Sequence, residues 1–402
     1  MKILQLCLRV PFPPRDGGAI AMHNLSEALT SNNHEVKILA FNTKKHHVEF
    51  DELPSNYKSI YSLECVPLDA KVRVWDGFLN LFSDKSLNVS RFDVQAMHDK
   101  LKAILEQNEF SLILIESLFM IPYVKTIRKY SKAKIVYRAH NIEHVIWKRL
   151  AIKTANPIRR HYLAFLANRL KKYETGVLND LDAIITLTTE DSDWFIRNGF
   201  SKGILVSPVS LDVSKYNSTP ISNSFLNIFH LGSMDWMPNV EAVDWFLENV
   251  WPLVENRHPG LVLHLAGKGM PQKYFALNSS TIKVYGYIDD LNAFMDGKQL
   301  MVVPLLSGSG MRVKILEGMA SGRTIISSTI GAEGIDVSDG FDILIADDPD
   351  AFVRQITKCL TDQENTLRIA LNARKTASEK YDKNIVGQQL SDFLDKTADT
   401  SA

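Results

Sequence analysis

A chain of 402 residues is too long for one ordinary hydrophobic core and suits two domains. With 45% apolar and 23% charged residues it has the composition of a soluble globular protein, and 46 basic against 46 acidic side chains exclude a global field that recruits nucleic acid. Three widely separated cysteines, Cys7, Cys65 and Cys359, without C-x-x-C spacing, argue against a disulfide framework and a zinc site and point to a reducing compartment.

The opening "MKILQLCLRV" has one basic residue before a short apolar run that Gln5 interrupts and Arg9 follows, so it reads as a buried first strand rather than a signal peptide. No run approaches the roughly 20 apolar residues of a membrane span. The expected location is therefore cytoplasmic, and sequons at Asn88, Asn217 and Asn278 carry no weight there. "KILQLCL", "EVKILAF", "LILIES", "KIVYRAH" and "DAIITLT" read as strands in the first half; "LNIFHLGS", "LVLHLAG", "IKVYGYI", "LMVVPLL", "RTIISST" and "DILIAD" do so in the second. Most are continuously apolar, as parallel strands covered on both faces are. Helical patterns at Ile20–Leu29, Val240–Val250 and Ala351–Leu360 alternate with them, which predicts doubly wound α/β layers.

Residues 44 to 110 show weak periodicity, and His46–His47 within them reads as an exposed loop because no third metal ligand lies at a telling spacing. The stretch 207–225 is rich in Ser, Asn and Pro and reads as a linker. The expected layout is a Rossmann-like domain over 1–208, a second over 209–380, and a last helix with a frayed tail over 381–402 that packs back toward the first domain.

Four stretches could carry chemistry. In "RVPFPPRDGGAIAMHNLSEAL" (9–29), Gly17 and Gly18 open a helix after a strand; that is either an anion-binding turn or a plain tight turn. His140 in "VYRAHNIEH" follows a strand directly, where open α/β sheets bind ligands, unless local backbone satisfies it. "NPIRRHYLAFLANRLKKYE" (156–174) is a basic amphipathic helix that suits an anionic membrane surface or a solvated face.

The fourth is "VPLLSGSGMRVKILEGMASG" (303–322), where a Ser/Gly loop leads into a greasy helix threaded by Arg312, Lys314 and Glu317. Charges in such a helix need a reason. An intrahelical Lys314–Glu317 pair leaves Arg312 unexplained. A diphosphate at the helix start accounts for two mobile cations and the loop amides, and a ribose accounts for the carboxylate. One Gly-bearing loop in each half suggests two domains facing each other across a cleft that holds a nucleotide-linked substrate.

"SGSGMRVKILEGMASGRTIISSTIGAEGI", preceded by "FHLGSMDWMPNVEAVDWFLENVWPLV" (229–254), "HLAGKG" (264–269) and "YGYIDDL" (285–291), resembles the donor-binding half of family 4 glycosyltransferases, which have the two-domain GT-B fold. "RVPFPPRDGG", "AHNIE" and "SPVSLD" are similar to the family's N-terminal landmarks. The resemblance implies retaining transfer of a sugar from a nucleoside diphosphate sugar, with no metal or other cofactor, to a glycan or lipid-linked acceptor in cell-surface polysaccharide or glycolipid synthesis. It implies at most peripheral contact with the inner face of a membrane.

By the same resemblance Glu317 holds the ribose, backbone at Ser309, Gly310 and Met311 touches sugar and phosphate, and Tyr287 and Ile288 lie beside the base. Gly17 and Gly18 approach the diphosphate, His140 contacts the transferred sugar, and Gly232, Ser233 and Gly267 complete the donor site. Two departures stand out. Ser309 occupies the place of a first glutamate, and Ser233 and Pro238 replace an Arg and a Lys that many members carry. The expectation is that the counter-charge for the diphosphate has moved to Arg312 and Lys314, with catalysis by positioning and charge stabilisation and no assigned general base. A GT-B nucleotide-sugar epimerase and a non-catalytic, complex-forming binder of nucleotide sugar are the alternatives.

Overall fold

The computed structural model describes residues 1–14, 17–69, 86–217, 227–308 and 310–399. The chain forms two compact units, Met1–Pro208 with Val386–Ala402, and Val209–Ile385. The first holds a seven-stranded sheet of β1 (Lys2–Cys7), β2 (Glu35–Thr43), β3 (Glu64–Leu68), β4 (Leu112–Glu116), β5 (Lys134–Ala139), β6 (Ala183–Thr186) and β7 (Gly203–Val206). Their order is β3-β2-β1-β4-β5-β6-β7, with parallel pairing throughout.

Alternate residues of each strand feed opposite cores. Leu4, Leu6, Ile113 and Ile115 join one face, while Ile3, Leu112 and Leu114 join the other. Helices cover both, so the strands read as unbroken apolar runs. The terminal helix Lys383–Asp399 adds Leu390 and Leu394 to the second face, and His34 Nε2 meets Ser391 Oγ at 2.6 Å.

The second unit holds β8 (Asn227–Leu231), β9 (Val262–Ala266), β10 (Ile282–Val284), β11 (Leu300–Val303), β12 (Thr324–Ser327) and β13 (Leu344–Ile345), in the order β10-β9-β8-β11-β12-β13. These pairs are parallel too.

Differences from the sequence pattern fall at edges. β3 and β7, the two outer strands of the first sheet, have no counterpart among the expected strands; β3 is half-exposed and contains Pro67, which erases its signal. Helix Gln95–Gln107 starts without a side-chain cap, so nothing announces it in the 44–110 stretch. In "IKVYGYI" the strand ends at Val284 and the last four residues are loop. Of the expected linker, 218–225 lies outside the described residues; within the rest, Leu211 N–H donates to Tyr381 O at 2.8 Å.

Candidate active site

In the second unit the site is assembled where the carboxyl ends of β8, β9 and β11 meet. Gly267 has φ +152°, and a Cβ there would stand 1.8 Å from the Gly232 carbonyl oxygen. Only glycine permits this approach of two strand-end loops. A Cβ on Gly232 would stand 2.9 Å from Lys314 Nζ and 2.8 Å from Asn239 Nδ2, so its bare Cα makes room for both groups.

Lys314 lies in the first turn of helix Val313–Ala320. Its ammonium donates to Asn239 Oδ1 at 2.7 Å, and Asn239 Nδ2 donates to Ser233 O at 2.7 Å. Burial, reinforced by the nearby Arg312 charge, pulls Lys314 down to about 7, against the opposing pull of Glu317. Burial likewise pushes Glu317 up to about 7, although the Tyr216 hydroxyl, which donates to it at 3.4 Å, and the Lys314 charge both resist. Lys314 and Glu317 thus turn to different partners, and the simple intrahelical pair is not formed. Beneath them His230 is buried; its Nδ1–H donates to Val302 O at 2.9 Å, and burial with the Lys314 charge holds it well below the usual histidine range.

Arg312 is not mobile. It is 5% exposed, its guanidinium donates to the Gly310 and Ile330 carbonyls, and it stacks on Trp236 with 5.4 Å to the ring centroid. Gly308 beside it has φ +122°, and a Cβ there would stand 2.7 Å from Trp236 Cη2. The loop before the helix is therefore shaped around the Trp236–Arg312 stack. Met311 packs partly buried against the core, and Ser309 lies outside the described residues. Tyr287 is exposed and Ile288 rests on the core; Gly267 N–H donates to Gly286 O at 3.0 Å, which ties their loop to the β9 end.

In the first unit, Gly17 and Gly18 open helix Gly17–Ser31 after β1, and His140 follows β5. A buried network joins the two places. Glu116 accepts from Gln5 Nε2 at 2.9 Å and meets His140 Nε2 at 2.6 Å; Arg138 Nη1 lies 3.3 Å from the same carboxylate and donates to Ala21 O at 3.1 Å. Burial alone would raise the Glu116 pKa, but Arg138, His140 and Gln5 hold it below the ordinary carboxylate value. Gln5, Glu116, Arg138, Trp236 and Asn239 are absent from the site residues expected from the sequence. For the first three the available signal is a polar side chain inside an otherwise apolar strand.

Both units are sheets of parallel strands, and the second carries a recognisable sequence pattern. Residues 226–362 match the model described as "Glycosyl transferases group 1". That segment carries the likeness to the group 1 glycosyltransferases. It contains the whole of the Gly232–Asn239–Lys314–Glu317 arrangement, except for the Tyr216 hydroxyl.

Over 96% of its length the chain is 23% identical to a curated relative from Klebsiella pneumoniae, "Uncharacterized 44.6 kDa protein in cps region", covering 97% of that protein. Among solved structures it is similar to sucrose-phosphate synthase from Thermosynechococcus elongatus, with 15% identity, all of both chains covered and a TM-score of 0.72. It is also similar to Anabaena HepE in complex with UDP-glucose, with 16% identity, 98% and 100% coverage and a TM-score of 0.63. The expected GT-B fold and family 4 resemblance are borne out. Among the described residues no cluster of three or more His, Cys, Asp and Glu is placed to hold a metal ion, and no helix is long and apolar enough to cross a membrane.

Proposed function

We propose that this glycosyltransferase moves a sugar from a nucleoside diphosphate sugar to an acceptor hydroxyl with retention of configuration and without a required metal. The observation that carries the reading is Lys314: a half-buried ammonium packed against the bare Cα of Gly232 at the strand ends, with Arg312 before it and Glu317 one turn beyond. Arg312, Lys314 and the amides around Gly310 and Met311 stabilise the leaving diphosphate as its charge develops. Glu317 takes the ribose hydroxyls, and Tyr287 and Ile288 the base. In the first unit, His140 meets the transferred sugar, held by Glu116, and Gly17 and Gly18 supply backbone to the phosphates.

The likeness to HepE, whose solved complex contains UDP-glucose, supports a nucleotide-sugar donor. The cps region named for the Klebsiella relative supports an acceptor in cell-surface polysaccharide synthesis. Calorimetric titration with UDP, GDP and ADP in the absence of metal, beside Glu317→Ala and Arg312→Ala, is the test. Selective binding of one nucleotide, weakened in both variants, is the expected result; silence from all three at millimolar concentration removes the reading.

Ser309 in place of a first glutamate favours one other reading, a binder of nucleotide sugar that does not turn it over. Release of free nucleoside diphosphate from the matching donor separates the two.

A further inference from the structure

Between His144 and Tyr173 the chain carries eight Lys and Arg and no Asp or Glu, in a protein whose overall formal charge is zero. This run is a helical hairpin, Glu143–Lys153 followed by Pro157–Gly176. Its base is fastened by the buried Glu174, which accepts the Glu143 and His144 backbone N–H groups at 2.8 and 3.1 Å and meets His144 Nδ1 at 2.6 Å. Its inner face is buried at Ala151, Leu163, Leu166 and Ala167, and Leu170 joins the core. At the tip Asn156 caps the second helix, its Oδ1 accepting the Arg159 N–H at 3.0 Å.

What the tip exposes is apolar. Ile158 is 82% exposed, Ile152 69% and Leu150 45%, and exposed Lys148, Arg149, Arg159 and Arg160 surround them. Aliphatic side chains set among cations, with no carboxylate in the hairpin except Glu143 and Glu174 at its base, complement a surface that is apolar just below a layer of negative charge. A soluble polyanion would use the cations and leave the isoleucines in water.

We infer that the hairpin tip docks on a membrane surface bearing anionic lipid headgroups, with Leu150, Ile152 and Ile158 entering the headgroup–acyl boundary and Lys148, Arg149, Arg159 and Arg160 pairing with phosphates. The inference uses none of the residues assigned to the nucleotide or the sugar, so it stands whether or not the sugar-transfer reading does.

The test is sedimentation of the full chain with vesicles of phosphatidylcholine alone and of phosphatidylcholine with phosphatidylglycerol, at low and physiological salt. Binding confined to the anionic vesicles and weakened by salt is expected. The Ile152→Ser/Ile158→Ser variant should partition at least about tenfold less, because two aliphatic side chains no longer leave water. Each of Arg159→Gln and Arg160→Gln should cost about fivefold. Unchanged melting temperature and unchanged nucleotide titration in these variants show that fold and site survive.

Three results overturn the inference. One is equal binding to neutral vesicles. Another is binding to vesicles and to heparin that the serine variant leaves intact, which makes the tip a soluble-polyanion site. The third is a dimer that the serine variant dissociates with no vesicle binding by either form, which makes the occupant a second copy.

Discussion

Lys314 Nζ donates to Asn239 Oδ1 at 2.7 Å, and that is its one hydrogen bond among the described residues. An ammonium has three donors, so two remain for a ligand at the strand ends. Asn239 fixes where they point, because its own amide nitrogen is anchored to Ser233 O. Replacing Lys314 with Met should therefore weaken binding of the matching nucleoside diphosphate by about 1–3 kcal/mol, the scale of a hydrogen bond to a charged group. Calorimetry reads this directly, and wild-type affinity in the variant would remove Lys314 from the site.

Arg312 should cost a similar amount, about 1–3 kcal/mol on replacement by Ala. Its guanidinium is positioned by the Trp236 face and two carbonyls, so Trp236→Ala should act through it. In a double-mutant cycle the two losses should fall short of additivity. Strict additivity would mean that Trp236 and Arg312 serve the nucleotide independently.

Nucleotide affinity should peak near pH 7. Below it Glu317, raised to about 7, takes up a proton and loses its capacity for ribose hydroxyls; above it Lys314, lowered to about 7, loses the charge that faces phosphate. Stability of the ligand-free protein should respond in the opposite sense. Between 7 and the ordinary lysine value of 10.5 the unfolded chain holds the extra proton at Lys314, so stability rises with pH. Between the ordinary glutamate value of 4.5 and 7 the folded chain holds the extra proton at Glu317, so stability falls as pH rises. This pair's contribution to stability is thus least where binding is strongest. A flat nucleotide-affinity profile from pH 6 to 8.5 would contradict the arrangement.

Gly308→Ala should destabilise the second unit by about 1–3 kcal/mol, because φ +122° is strained for any side chain. The new methyl would also meet Trp236, so nucleotide affinity should fall with the melting temperature. Trp236→Ala in the same chain should relieve the clash and leave only the backbone strain; a double variant no more stable than Gly308→Ala alone would show that the clash plays no part.

Glu116→Ala should destabilise the first unit by about 3–5 kcal/mol, since it strands a buried Arg138. The native carboxylate is held below its ordinary pKa, so its contribution is present above the unfolded value and lost as pH falls through the depressed one. Acid melts of wild type and variant should converge at low pH. A constant gap between them would show that the loss is one of packing rather than charge.

The class of fold was legible because each half repeats a pattern with one physical meaning: unbroken apolar strands separated by helices. β4, buried at every position, and β11, with the same property, are the clearest cases. The donor segment was legible for a related reason, since charges at 312, 314 and 317 in a greasy helix cannot be explained by packing alone. Edge strand β3 was not, because a strand with one neighbour and a wet face needs no apolar run, and β7 is a four-residue apolar run that leads straight into the Ser-, Asn- and Pro-rich stretch.

What tertiary structure alone decided is who meets whom. The sequence determined that Lys314 and Glu317 lie one helical turn apart, within reach of one another. Folding gives the first to Asn239, 75 residues away, and the second to Tyr216, 101 residues away. It also turns Arg312 from a mobile cation into one clamped on Trp236, and draws Glu116 and Arg138 under His140. Local periodicity follows from backbone geometry and is written in neighbours along the chain. Partners across strand-end loops depend on which loops the sheet order brings together, and on the two glycines, 232 and 267, whose missing side chains let them touch.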